Sequence, residues 1–500
     1  MYFKTVTPEE AGISSEKVVD FLKTLDSYQF CTHDVIMARG DKIFAEVYYK
    51  PFDRNFKHRM YSVSKSFVSV ALGMAVEEGL LSLSDKMIQF FPEYVPSDVD
   101  EWMKETTIRD MLTMETSIQN PVFWFPTGTK DRTEMYFQKY GEKVPGTLFC
   151  YDSPGSYMLG VIVERVTGKP FLEYMKEKAL CEIGFSGDAY CLKVPGGHSF
   201  GDSGVMCTAR DLLIFARFVM NKGAWCGKQY MDRTYLEEAV QKQVSNANTT
   251  QVSYNTYGYG YQIWKAPNDG FAFIGMGDQF AICDPQTDFI FIINADNQGS
   301  KQATRAILYH ELYKSIIPFL ASPLARNEAA YAGLCEYAKE AELFSLKQEG
   351  RNPFESEIDG KVYRLKENPM KMEYITFRFE GRKGILGYQN EQGKKELAFG
   401  LGYNEFGKFP QEGYSDMVAT EYVPGHYYDC ACSADWIEKR KLRIKVQIID
   451  KYFGNACLIF SFKDTRVTVL MTKSAENFLQ EYEGLAIGEE IADENTNIEK

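Results

Sequence analysis

The chain predicts an α+β protein whose first domain is an antiparallel sheet flanked by helices, with a helical subdomain inserted in it, followed by an all-β domain. Three observations predict it. Strand-like segments open the chain at Val35 to Ala38 and Ile43 to Tyr49. A mainly helical stretch from Ser66 to about Lys242 separates them from strand-like segments at Tyr257 to Trp264, Gly270 to Gly275, Gln279 to Cys283 and Phe289 to Asn294. Beyond Leu343 the pattern changes to short alternating strands divided by polar turns.

Ser14-Ser15-Glu16-Lys17 reads as a helix start, because Ser14 suits an N-cap and Val18, Val19, Leu22 and Leu25 follow at amphipathic spacing. Arg39-Gly40-Asp41-Lys42 joins the first two strands with glycine in the turn, a hairpin signature. Phe67 to Leu81 is an apolar helical run. Loops rich in glycine and proline interrupt the helical middle at Asn120 to Gly128 and Val194 to Gly204, and a helix from about Gly155 to Val166 lies between them. The last strand of this domain leads into a helix from about Gln302 to Ile316. Strands from both ends thus bracket the helices, and one sheet with a helical wall opposite it makes a cleft.

Pro318 and Pro323 end this unit, and Asn327 to Leu343 reads as one further helix. The expected division is 1–320 for the first domain, 321–350 for a helical linker, 351–487 for an all-β barrel-like domain and 488–500 for an acidic tail. The strands expected in the third part are Lys361 to Leu365, Met372 to Phe379, Gly384 to Tyr388, Glu396 to Leu401, Tyr427 to Cys432, Leu442 to Ile449, Ala456 to Phe462 and Arg466 to Met471.

With 500 residues and 45% hydrophobic content the chain can bury two cores. Its formal charge of -13 argues against nucleic acid or an anionic membrane surface as a main partner. Residues 1 to 30 lack the pattern of a secretory signal and no apolar run reaches spanning length, so the expectation is a soluble cytoplasmic protein. The 11 cysteines are scattered without paired spacing, as for reduced and mostly buried thiols. His426, Cys430 and Cys432 form the one cluster with metal-ligand character, but three candidate ligands fall short of the usual four, and plain burial is the simpler reading. No metal or organic cofactor is expected.

The segment with most chemical content is Ser62-Val63-Ser64-Lys65, at the head of the apolar helix. Residues three apart on a helix share a face, so the Ser62 hydroxyl and the Lys65 amine converge where the helix N-terminus favours developing negative charge. A lysine accepts a serine proton only where burial or a neighbouring positive charge holds it uncharged. Phe67, Val68, Val70, Ala71, Leu72, Met74 and Ala75 offer that burial. The tetrad alone is equally compatible with an ordinary helix start, as Ser14 to Lys17 illustrates.

Serine chemistry also needs a second proton carrier and an oxyanion hole. Tyr151 and Ser153, in Phe149-Cys150-Tyr151-Asp152-Ser153-Pro154, sit in a loop pinned by the following helix. The phenol suits proton relay and Ser153 suits a hydrogen bond to substrate or Lys65; a capping serine beside a packed tyrosine is the alternative. Phe271 to Gly275 leads into Met276-Gly277-Asp278-Gln279, where a free strand N–H would complete an oxyanion hole with the N–H of Ser62. A plain glycine turn is the alternative there. Trp124, with Phe123 and Phe125, suits an acyl pocket or the packing of the helical insertion. His198, among Gly196, Gly197 and Gly201, reads as a turn residue before a catalytic base.

The order of these segments resembles the serine β-lactamase-like and penicillin-binding-protein family, in the branch holding class C β-lactamases, 6-aminohexanoate-oligomer hydrolases and related esterases. The resemblance spans about residues 5 to 320. It rests on Pro8-Glu9-Glu10-Ala11-Gly12, Tyr61 to Ser66, Thr107 to Met114, Tyr151-Asp152-Ser153, Leu159 to Gly168 and Thr208 to Leu212. It implies a β-lactamase/transpeptidase-like fold and an acyl-enzyme mechanism. Ser62 would be the nucleophile, with Lys65 and Tyr151 sharing its proton and the leaving-group acid role; which takes the first proton is open.

Two departures narrow the substrate that the resemblance implies. Tyr151-x-Ser153 stands where class C β-lactamases carry Tyr-x-Asn, as in the aminohexanoate-oligomer hydrolases and esterases. Where family β-lactamases carry Lys-Thr-Gly, spacing back from Asp284-Pro285 puts Phe273-Ile274-Gly275, which makes Met276 the oxyanion N–H; a register two residues on, through Gly277 and Asp278, is the alternative. An apolar residue cannot grip a carboxylate. The expectation is therefore a serine hydrolase for small uncharged esters or amides, with Ser153, Gly275, Trp124 and Phe273 lining the substrate site and little β-lactam turnover. An idle binding or sensor protein on the same scaffold, and a D,D-peptidase or β-lactamase, are the alternatives.

Overall fold

The computed structural model describes residues 3–118, 131–139, 141–247, 256–300, 302–413, 423–476 and 478–491. The chain forms two compact units. The first takes residues through Asn297 and Gln302–Glu342; the second takes residues from Leu343 onward and a short excursion beginning at Gln298.

In the first unit, strands β1 (Lys4–Thr5), β2 (Thr32–Arg39), β3 (Lys42–Tyr48), β4 (Trp264–Lys265), β5 (Phe271–Gly275), β6 (Gln279–Asp284) and β7 (Phe289–Ala295) form one sheet in the order β1-β3-β2-β7-β6-β5-β4. Chain ends therefore meet at its centre, where β2 runs antiparallel to β7 with Ile36 opposite Ile292. Both strands are buried along nearly their whole length, which explains their apolar runs Val35 to Ala38 and Phe289 to Ile293. Helix α1 (Ser15–Ser27) starts at Ser14, whose hydroxyl accepts from the Lys17 N–H, and places Phe21 edge-on to Phe291 at 5.7 Å.

Helix α2 (Ser64–Glu77) is buried from Ser64 through Ala75, so it runs through the interior rather than over the surface. It packs on α3 (Ser153–Thr167). An aromatic stack joins it to the sheet: Phe67 lies 3.7 Å from Phe215 of α4 (Ala209–Met220), and Phe215 lies 5.1 Å from Phe273 of β5. The head of α2 is thereby set against the sheet strand that ends beside it.

Three expectations differ here. Tyr257 to Trp264 is a looped segment with a strand only at Trp264–Lys265, because Gly258 at φ 117° and Gln262 at φ 57° break an extended run. The Gln262 side chain is used instead to tie elements together, accepting from the Ser156 hydroxyl at 2.6 Å and donating to the Met111 and Leu112 carbonyls. The helix expected as a linker, α5 (Glu328–Glu340), belongs to the first unit: it packs on α1, and its Tyr337 hydroxyl meets those of Tyr49 at 2.7 Å and the Asp26 carboxylate at 2.6 Å.

The second unit is an all-β barrel. Its strands are β8 (Val362–Leu365), β9 (Tyr374–Glu380), β10 (Lys383–Asn390), β11 (Gly393–Leu401), β12 (Glu405–Gly413), β13 (Val423–Glu438), β14 (Lys441–Ile449), β15 (Phe453–Lys463), β16 (Arg466–Ala475) and β17 (Gly484–Ile491). The order is β11-β10-β9-β8-β17-β16-β15-β14-β13-β12, and β11 closes on β13 through Gly400 opposite Ser433. The third difference is β17. Residues expected to begin an acidic tail at 488 instead complete a strand between β8 and β16, because the alternation Leu485, Ala486, Ile487 places Ala486 inside. Cys430 and Cys432 are buried side by side with sulfurs 3.8 Å apart.

Candidate active site

Ser62 sits in a single 3-10 turn, Tyr61–Val63, that leads directly into α2. Tyr61 holds φ 45°, a left-handed conformation that costs a non-glycine residue about 1–3 kcal/mol and recurs where a functional side chain is being aimed. The Arg59 guanidinium stacks on the Tyr61 ring at 4.3 Å. Met60 N–H donates to the Val205 carbonyl, and Val205 N–H donates to the Ser64 hydroxyl, so the turn is stitched to the short strand Val205–Cys207 on both sides of the serine.

Lys65 is 1% exposed while Ser62 is half-buried, so the lysine is interior and the serine lies nearer the surface. Lys65 Nζ lies 3.0 Å from Ser62 Oγ and donates to the Asp202 carbonyl at 2.7 Å. The same amine stands 5.1 Å from the centroid of the Tyr151 ring. Tyr151 is stacked on Trp264 at 5.6 Å, with Tyr259 edge-on at 6.5 Å, which orients the phenol from the sheet side. Ser62, Lys65 and Tyr151 are thus brought together from three different elements.

The Tyr151 loop is pinned by Asp152 rather than by the serine expected as a cap. Asp152 is the N-cap of α3: its carboxylate accepts from Gly155 N–H at 2.8 Å, Thr116 Oγ1 at 2.8 Å and the Tyr136 hydroxyl at 3.3 Å. Burial raises this carboxyl above the usual range, opposed by those hydrogen bonds. Ser153 is the first helical residue, 6% exposed, and its hydroxyl has no hydrogen-bond partner among the described residues.

Strand β5 ends at Gly275, where a Cβ would stand 2.5 Å from the Met60 carbonyl oxygen; only glycine lets the strand end this close to the serine turn. Met276 follows at the start of the β5–β6 turn, and its carbonyl accepts from the Gln279 carboxamide at 3.0 Å. Asp278, at φ 72°, is held by Asn297 at 3.0 Å and Thr304 at 2.5 Å. Its side chain is thus taken up in fixing the turn.

Phe273 is a correction. Expected to line the substrate site, it is fully buried with its ring on Phe215 and Phe271, so it is core and touches no cleft. Trp124, with Phe123 and Phe125, lies outside the described residues. His198 pairs with Glu164 of α3 at 2.8 Å, where the carboxylate also accepts from Ser199 N–H; it fastens a loop. Sequence reasoning missed Asp202, Arg59, Arg132, Gln279 and Trp264. Only the glycines near Asp202 and Gln279 (Gly201, Gly204 and Gly277) offered a signal, and they mark any turn.

Residues 34–314 match the Beta-lactamase family model, more than half of the chain, and the chain belongs to that family. Among curated proteins, the 6-aminohexanoate-dimer hydrolase of Paenarthrobacter ureafaciens is 25% identical over 312 residues, covering 57% of this chain and 78% of the relative. Among solved structures, a Bacillus anthracis protein provisionally described as a 6-aminohexanoate-dimer hydrolase superposes with a TM-score of 0.52 at 17% identity, over 63% of this chain and 86% of the other. A family VIII carboxylesterase aligns with a TM-score of 0.49 at 14% identity, over 63% and 99%. No described helix is long and apolar enough to cross a membrane.

Proposed function

We propose that the protein is a serine hydrolase that cleaves small uncharged esters or amides through an acyl-enzyme on Ser62. The observation that carries this reading is the buried Lys65 side chain, its amine 3.0 Å from the hydroxyl of a half-buried serine and beside the Tyr151 ring. Ser62 Oγ attacks the substrate carbonyl carbon while its proton passes to the Lys65–Tyr151 pair, and the negative charge forming on the carbonyl oxygen is met by the N–H groups of Ser62 and Met276. That proton then leaves with the alcohol or amine as the C–O or C–N bond breaks. Water attacks the acyl group next, giving its proton to the same pair and returning Ser62 to its starting state.

The preference for uncharged substrates is supported by the strand beside the nucleophile: Phe271–Gly275 carries no charged side chain to hold a substrate carboxylate. The 6-aminohexanoate-dimer hydrolase relative supports an amide- or ester-cleaving role over a β-lactam one. A panel of p-nitrophenyl esters of rising chain length, amino-acid amides and nitrocefin tests this. Ester or amide turnover well above nitrocefin turnover is expected, and the reverse order refutes the substrate argument.

A further inference from the structure

Lys65 donates to one protein carbonyl, that of Asp202, and this carbonyl belongs to a turn, Phe200 to Gly204, with no helix or strand to hold it. Backbone hydrogen bonds close the turn, from the Ser203 and Gly204 N–H groups to the Phe200 carbonyl and from the Leu192 N–H to the Gly204 carbonyl, and side chains fix the Asp202 peptide further. Arg132 grips the Asp202 carboxylate through both ends of its guanidinium, at 2.8 and 3.2 Å, with both residues at most 3% exposed. Arg59 donates to the Ser203 carbonyl at 2.9 Å and the Ser203 hydroxyl at 3.3 Å. The Phe200 ring lies against both guanidiniums, at 4.6 Å from Arg132 and 5.2 Å from Arg59. Gly201 lets the turn press onto the catalytic helix, since a Cβ there would stand 3.0 Å from Val68 Cγ2 and 3.5 Å from Gly160 Cα.

We propose that Asp202 and Arg132 are positioning residues for Lys65: their ion pair holds the Asp202 carbonyl where it fixes rotation of the amine and aims its lone pair at the Ser62 hydroxyl. An amine that takes the serine proton has one lone pair and two N–H bonds, and committing one N–H to a fixed acceptor sets the direction of the lone pair. A buried ion pair is a poor way merely to stabilise a loop, because apolar packing of equal volume does as well. Its bidentate geometry is what apolar packing cannot supply. The pair is neutral as a whole, so its effect on Lys65 is one of aim, and Arg59 secures the following peptide from the side of the serine turn.

This inference rests on the serine-hydrolase reading, and the test separates the two. D202N, R132K and R132M are compared with wild type for kcat and KM on p-nitrophenyl butyrate, for the rate of Ser62 labelling by a fluorophosphonate, and for melting temperature; K65M is the control. D202N keeps the backbone carbonyl and nearly the same volume, and R132K keeps the charge but loses the fork. Both are expected to lower kcat and the labelling rate together by about ten- to a hundredfold, the scale of a misplacement near 1 Å, with KM within about twofold. R132K is expected to retain more activity than R132M. If K65M labels at the wild-type rate, the reading of Lys65 as base is wrong. If K65M is inactive while folded D202N and R132K keep wild-type kcat, the positioning role is overturned. It is equally overturned if losses appear in KM and melting temperature without a selective fall in kcat.

Discussion

Replacing Gly275 by alanine is expected to separate the strand end from the nucleophile turn, and the size of the effect follows from one distance. The new Cβ would stand 2.5 Å from the Met60 carbonyl oxygen, whereas real Cβ contacts essentially never fall under 3.0 Å. The obstacle is a backbone carbonyl, and Gln279 Cβ at 3.0 Å leaves little room on the other side. Strand end and serine turn must therefore part by at least about half an ångström; scaling from ~100-fold for a 1 Å misplacement, turnover falls about tenfold. Overpacking of this kind costs stability by about 1–3 kcal/mol, so the protein should still fold. Steady-state kinetics on p-nitrophenyl butyrate with a parallel thermal melt measures both. Wild-type kcat in a folded Gly275→Ala protein would refute the placement of the oxyanion site at this junction.

Phe273→Ala should lower stability by about 3–5 kcal/mol in urea titration, with kcat and KM per folded molecule little changed, because its ring fills the core against Phe215. A changed substrate range without lost stability would restore the substrate-lining role. Burial holds the His33 imidazole neutral, with its pKa well below the ordinary 6.5. Its native form then binds fewer protons than its unfolded form below that value, so this stabilising contribution is full above pH 6.5 and is lost as pH falls through the folded pKa, at up to about 1.4 kcal/mol per pH unit. His33→Phe, which preserves the 3.9 Å stack on Phe52, should shrink the loss of urea stability between pH 7 and pH 5; an unchanged loss would contradict this. Asp152 has the opposite sign. Its raised pKa makes the native state bind more protons above pH 3.8, so its contribution falls as pH rises to the folded pKa. Asp152→Asn, which keeps an acceptor for Gly155 N–H, should remove that fall and leave neutral-pH stability equal or higher; a melt several degrees lower at pH 7 would contradict it.

The parts of the site legible in the sequence are those set by local geometry. Three-residue spacing at a helix head is enough to bring Ser62 and Lys65 together, and Tyr151 could be placed because a helix start one residue on pins its loop. The choice of Asp152 over Ser153 as cap was open to either side chain, and tertiary partners at Thr116 and Tyr136 decided it. Phe273 was placed by spacing back from Asp284-Pro285, and on a strand buried on both faces that spacing does not fix which side chain meets the cleft. Asp202 was illegible for a deeper reason: its carbonyl acts, and a backbone group has no residue signature. In the second unit, Glu405–Gly413 and Gly484–Ile491 escaped notice because glycine, proline and acidic residues weaken the strand pattern, and pairing with neighbouring strands overrides it.

The most direct test of the account is to treat the protein with a fluorophosphonate and locate the adduct by peptide mass spectrometry. One phosphonyl group on Ser62, absent in Ser62→Ala and accompanied by full loss of ester hydrolysis, is the predicted result. Hydrolysis that survives in Ser62→Ala, or an adduct on a different residue, would contradict it.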